Sequence, residues 1–154
     1  MRQKISYLFI CILFVACTST HPIVHSTHAP FSMVGTWKLL TGTVTENSQI
    51  TVTDYTKGIS FIKIINEKHF AFLQHDLYKG KDSAATFVSG GGKYSLKDSS
   101  YTEHLEYCSS REWEGNDFSF NVRFIRDTLI QSGIEKVEGT GINRINTEKY
   151  IRLH

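Results

Sequence analysis

Residues 62–72 read IKIINEKHFAF: two short runs of β-branched and aromatic residues, IKII and HFAF, broken by Asn66-Glu67-Lys68. Runs of this composition on either side of a polar turn predict two antiparallel strands joined by a tight link. The same pattern continues outward. Lys97-Asp98-Ser99-Ser100 separates YSL from YTEH, and Arg126-Asp127 separates NVRFI from LIQS. From Phe31 onward no long window keeps the 3.6-residue period of a helix. Strands are predicted at 35–45, 58–66, 68–76, 86–96, 100–108, 117–126, 128–135 and 146–153. Eight strands joined mostly by short turns predict an all-β, up-and-down antiparallel barrel or a closely related sandwich. The longer connections, 76–85, 109–116 and 136–145, are places to expect recognition, and their order does not assign the open end.

A length of 154 residues suits one domain of ordinary size and is too short for two independent cores. The chain holds 17 Lys+Arg and 15 Asp+Glu; without Arg2 and Lys4, which fall in a removable leader, the basic count drops to 15, equal to the acidic one. A neutral mature protein lacks the electrostatic footprint of a nucleic-acid binder or a polybasic membrane binder.

The leader reads MRQKISYLFICILFVA, two cations and then an apolar run over 5–16, the pattern of a secretory signal. Twelve residues are too few for a spanning helix, which takes about 20. Phe14-Val15-Ala16-Cys17 resembles the lipobox of bacterial lipoproteins, in which a small residue precedes a cysteine that is acylated and becomes the new N-terminus. The resemblance implies lipid attachment at Cys17 and an exported protein held on a bacterial membrane, at the outer membrane or facing the periplasm. Residues 18–32 contain both prolines and three histidines, His21, His25 and His28, and read as a solvated tether. The expected organisation is therefore a signal peptide at 1–16, the acylated cysteine and tether at 17–32, and the barrel domain at 33–154. Cys11 leaves with the leader and Cys17 is acylated, so Cys108 has no partner for a disulfide and is expected to be a half-buried, inert thiol.

Gly35-Thr36-Trp37 at the head of the first strand resembles the opening signature of lipocalins and other calycin barrels. In that group an arginine from the last strand packs across the tryptophan and closes the barrel floor, roles that the resemblance assigns to Trp37 and Arg152, with Gly35 beside them. KIINEKHF at 63–70, GGGKYSL at 90–96 and YTEHLEY at 101–107, with FSFNV and IQSG, are similar to a lipocalin-like family of exported Bacteroidetes proteins over about 33–135, a family whose role is largely unassigned. The tail departs from that family's ending by carrying Tyr150 in place of tryptophan.

Alternation over 101–107 puts Tyr101, Glu103, Leu105 and Tyr107 on one face, expected to point inward. A half-buried Glu103 must meet a cation or be protonated. Arg123 reaches it only if the Phe118, Phe120, Val122 and Phe124 row faces outward. With Tyr94 and Gln131, Tyr101 and Glu103 form a candidate cluster for the head group of an apolar or amphipathic ligand. The other reading is a filled barrel, with Trp113 and its loop either docking an envelope protein or folding back over the mouth. His69, His75 and His104 are expected to face solvent, so no metal is assigned, and Gly90-Gly91-Gly92 lacks the helix and cation of a phosphate loop and reads as a strand that bends. No catalytic triad, metalloprotease helix or nucleophile elbow occurs, so neither an enzyme nor a cofactor is expected. Replacing Cys17 by alanine is expected to move the protein from the membrane to the soluble fraction of fractionated cells, and continued membrane partition would defeat the anchor.

Overall fold

The computed structural model describes residues 32–81 and 83–154. The expected leader, Cys17 and most of the tether lie outside them. The described chain is all-β: β1 Gly35–Glu46, β2 Gln49–Asp54, β3 Ile59–Ile65, β4 His69–Asp76, β5 Phe87–Lys97, β6 Ser100–Cys108, β7 Asp117–Ile125, β8 Thr128–Val137 and β9 Ile142–Leu153, with one short 3₁₀ turn at Arg111–Trp113. Consecutive strands from β3 to β9 pair antiparallel, and β9 returns to β1, so eight strands close into a barrel. The ninth is β2. It pairs with the second half of β1, from Thr41 to Glu46, whereas the first half, from Gly35 to Lys38, pairs with β3.

β2 was not expected because every one of its residues is exposed and no face alternates into a core. Its local cause is the turn at Asn47 and Ser48, both at positive φ, the backbone of a two-residue hairpin. The expected loop at 136–145 is also corrected. β8 runs on to Val137 and β9 starts at Ile142, leaving a four-residue turn with Gly139 and Gly141 at positive φ. Strand direction alternates around the barrel, so successive connections alternate between its ends. The tight links 66–68, 98–99 and 126–127 close one end, while the β1–β2 hairpin and the connections 77–86, 109–116 and 138–141 gather at the other. The longer loops thus do mark the open end.

The glycine run sits where β5 and β6 slip register: Gly91 faces Tyr107, Gly92 faces Leu105, and Glu106 is the extra residue of a bulge. A side chain at Gly90 would run into the Phe72 ring, and one at Gly92 into the His104 carbonyl. The bulge reverses the facing of β6. Tyr101, Glu103 and Leu105 are buried as expected, but Tyr107 turns outward and Cys108 is partly buried in its place.

The closed end holds the densest packing, with Trp37, Leu39, Tyr101, Leu129 and Tyr150 almost fully buried. Trp37 and Arg152 are direct neighbours across β1 and β9, and the guanidinium lies 4.1 Å from the indole centroid. The indole N–H donates to the Met33 carbonyl at 2.8 Å, and Arg152 donates to the carbonyls of Val34, at 2.8 Å, and Ser32. A cation on an indole face contributes about 0.5–2 kcal/mol, and here it also ties down the segment entering the barrel. Gly35, at φ 148°, leaves the space that the guanidinium fills. Trp37→Ala is expected to cost about 3–5 kcal/mol in urea unfolding, and Gly35→Ala about 1–3 kcal/mol by displacing Arg152 and straining the backbone; changes within error would refute the assigned floor.

Candidate functional site

Above this floor the barrel is not filled. A cavity of about 350 Å³ runs from mid-barrel to the end that carries the longer connections. Its walls combine aromatic and aliphatic side chains, Phe61, Phe72, Leu105, Phe118 and Phe120 among them, with polar and charged ones. At its base lies an ionic cluster built around a lysine.

Lys63 owes its place to strand alternation: Phe61, Lys63 and Ile65 share the buried face of β3. Its side chain is only 3% exposed, and its ammonium lies 2.7 Å from Glu103 Oε1. It also donates to Gln131 Oε1 at 3.2 Å and stands 4.0 Å from Glu148 Oε2. Gln131 Nε2 donates to Glu148 Oε2 at 2.7 Å, and the Tyr150 hydroxyl donates to the same oxygen at 2.8 Å. The ring centroids of Tyr150, Phe70 and Tyr101 lie 5.3, 5.9 and 6.0 Å from the ammonium. Burial pulls the Lys63 pKa down, but the charges of Glu103 and Glu148 override it, and the ammonium is held above its ordinary value. Glu148 shifts up, because burial outweighs the attraction of Lys63. Burial likewise raises Tyr101 and Tyr150, which stay neutral phenols.

Nearer the mouth, Glu135 on β8 takes Arg144 Nε at 2.7 Å and Asn146 Nδ2 at 2.8 Å. The Arg144 guanidinium lies 5.3 Å from the Trp113 ring centroid, and Trp113 itself lies 5.5 Å from Phe118. Of the two placements open to Trp113, the structure has it folded back over the mouth, half-buried in the cavity wall.

Of the four residues expected to form a head-group cluster, Glu103 and Gln131 line the cavity together, bridged by the Lys63 ammonium, which donates to both. Tyr101 lies beneath it, fully buried, with its hydroxyl lacking a hydrogen-bond partner among the described residues. Tyr94 is not on the cavity wall. Its hydroxyl donates to the Asn66 carbonyl at 2.8 Å, in the turn between β3 and β4, and so belongs to the closed end. Arg123 is exposed on β7, while Phe118, Phe120 and Val122 of the same strand are buried. His69 and His75 are exposed, His104 bonds Asp117 at 2.8 Å on the outer surface, and no described group of side chains has the arrangement of a metal site.

Sequence reasoning missed Lys63, Glu135, Arg144 and Glu148. A signal for Lys63 was present. Glu103 required a cation, and Lys63 shares the parity of Phe61 and Ile65 in the strand that opens the deciding hairpin. No protein-family model matches the chain, and neither does any curated protein. Among solved structures, an uncharacterized protein from Bacteroides eggerthii is similar at 13% identity and a TM-score of 0.46, over 79% of this chain and 100% of that one.

Removing the ammonium leaves carboxylates buried without their cation. Lys63→Met is expected to lose about 3–5 kcal/mol of stability near neutral pH, and Lys63→Met with Glu103→Leu to regain most of it. A carboxyl whose folded-state pKa is raised stabilises the protein below its unfolded-state pKa and loses that contribution as pH rises. The single variant should therefore recover stability on acidification from about pH 7 to about pH 5 more than the wild type does. Equal loss in the single and double variants would show that the pair does not account for the effect.

Proposed function

We propose that the protein is an exported, lipid-anchored, lipocalin-like barrel that holds a small amphipathic molecule in its cavity. The observation that carries this reading is the cavity itself: about 350 Å³, open at one end, with aromatic and aliphatic side chains on its walls and charged groups both at its base and nearer its mouth. Small-molecule pockets span about 300–1,000 Å³ and combine apolar surface with placed polar groups, and the size and the presence of both kinds of surface agree with that here, on a lining richer than usual in charge. A barrel serving only as a scaffold gains nothing from an ionic cluster facing an open space, since well-packed apolar side chains of similar volume are commonly as stable or more so.

Two further features support the reading. The longer connections gather around the mouth, where Trp113 and Arg144 form part of the wall. The described chain enters at the closed end, where Arg152 clasps the carbonyls of Ser32 and Val34. A tether from an acylated Cys17 would attach at the floor and leave the mouth facing away from the membrane. We propose a binding role, without catalysis or a cofactor, for a protein on the envelope of a bacterial cell. The rival role, docking an envelope protein through the loops, loses the anchor expected for it, because Trp113 is engaged in the cavity wall.

Native mass spectrometry of the protein, before and after exposure to a lipid and metabolite extract of a bacterial envelope, tests the reading. The expected result is a reproducible adduct of a few hundred daltons that is lost in Val88→Trp, a substitution that fills the mouth from β5 and leaves the floor intact. A clean apo mass in the wild type under gentle conditions would overturn it, as would an adduct that survives the substitution.

A further inference from the structure

The inference rests on the reading of the cavity as a ligand site and concerns the head group that it takes. Five acidic or basic side chains line the cavity: two cations, Lys63 and Arg144, and three carboxylates, Glu103, Glu135 and Glu148. Two carboxylates are matched one to one, Glu103 by Lys63 at 2.7 Å and Glu135 by Arg144 at 2.7 Å. Glu148 is left over. The ammonium 4.0 Å away is already bonded to Glu103, and the two hydrogen bonds that Glu148 accepts come from neutral donors, Gln131 and Tyr150. Both end on Oε2. No hydrogen bond from a described residue reaches Oε1.

A carboxylate in a poorly solvated interior without a cation of its own is unfavourable, and two events relieve it: uptake of a proton, or arrival of a positive charge from outside. We propose that the cavity selects an amphipathic ligand carrying a single protonated amine, which Glu148 receives as the positive charge that the protein leaves out. The apolar walls around Phe61, Phe72 and Phe118 take the hydrocarbon part. A carboxylate or phosphate head group would bring a fourth negative charge into the cavity against two cations, so the same count disfavours it.

The test compares three probes of one chain length, decylamine, decanol and decanoate, by titration calorimetry below their aggregation thresholds. Decylamine is expected to bind at least about tenfold more tightly than either of the others, and Glu148→Gln to erase that preference while decanol binding persists. Decanol binding as tightly as decylamine, or a preference that survives in a folded Glu148→Gln, would overturn the proposal and leave the ligand-site reading intact. Failure of all three probes to bind would count against the ligand-site reading itself.

A measurement on the unaltered protein guards against a variant that does not fold. Glu148 is faced by Lys63 from β3, Glu103 from β6, Glu135 from β8, Arg144 and Tyr150 on its own strand, and Tyr55 from the link between β2 and β3. Because burial raises its pKa, Glu148 takes up a proton before an ordinary glutamate does as the pH falls. The preference for decylamine over decanol is therefore expected to shrink on acidification, and a preference that grows would contradict the assignment to a carboxylate.

Discussion

Closure of this sheet rests on β1, which must offer one edge to β9 and divide the other between two strands. A barrel leaves no free edge only if its first and last strands pair, and that pairing runs from Thr36 to Thr45. On the opposite edge β3 stays with β1 only as far as Lys38 and then gives way to β2. The two halves of β1 have different surroundings in consequence. The first half is clamped at the floor by the stack of Trp37 and Arg152, and Gly42 and Val44 in the second half line the cavity. Tight packing at one end and open space at the other follow from how a single strand is shared.

Within this frame the buried ammonium of Lys63 organises the interior. Taking a charge out of water costs several kcal/mol, and the cost is met here by Glu103, by the Gln131 carbonyl oxygen and by three aromatic rings. Every element of the cluster comes from a different part of the barrel: Lys63 from β3, Glu103 from β6, Gln131 from β8, Glu148 and Tyr150 from β9. None of these groups is near another in sequence except the last two. The cluster therefore exists only when the sheet has closed in the correct register, and a one-residue slip in any of these strands would send its charged group to the other face.

The stretch 62–72 was sufficient to identify a hairpin, and the same alternation identified all eight barrel strands to within a few residues at most ends, because each has a buried face. Where that condition fails, the reading fails with it. β2 has no buried face, and Ile50 and Val52 alternate with threonines against solvent. Tyr107 was placed inward because alternation assumes an unbroken pleat, and the bulge at Glu106 is set by backbone contacts between β5 and its neighbours. Tyr94 was placed in the cavity by parity alone, which says which face a side chain leaves from and nothing about its height along the barrel.

The sequence by itself determined the class of fold and the requirement that Glu103 find a partner, because these follow from local alternation and from the cost of a buried charge, while Gly35, Trp37 and Arg152 at the floor were expected from a resemblance alone. Tertiary structure alone decided which partner that was, which end of the barrel is open, and that a third carboxylate, Glu148, stands beside a pair already matched. The reason is separation along the chain. Lys63 and Glu103 are 40 residues apart and Lys63 and Gln131 are 68 apart, so their meeting is settled by the register of paired strands and by closure, which no short window of sequence contains.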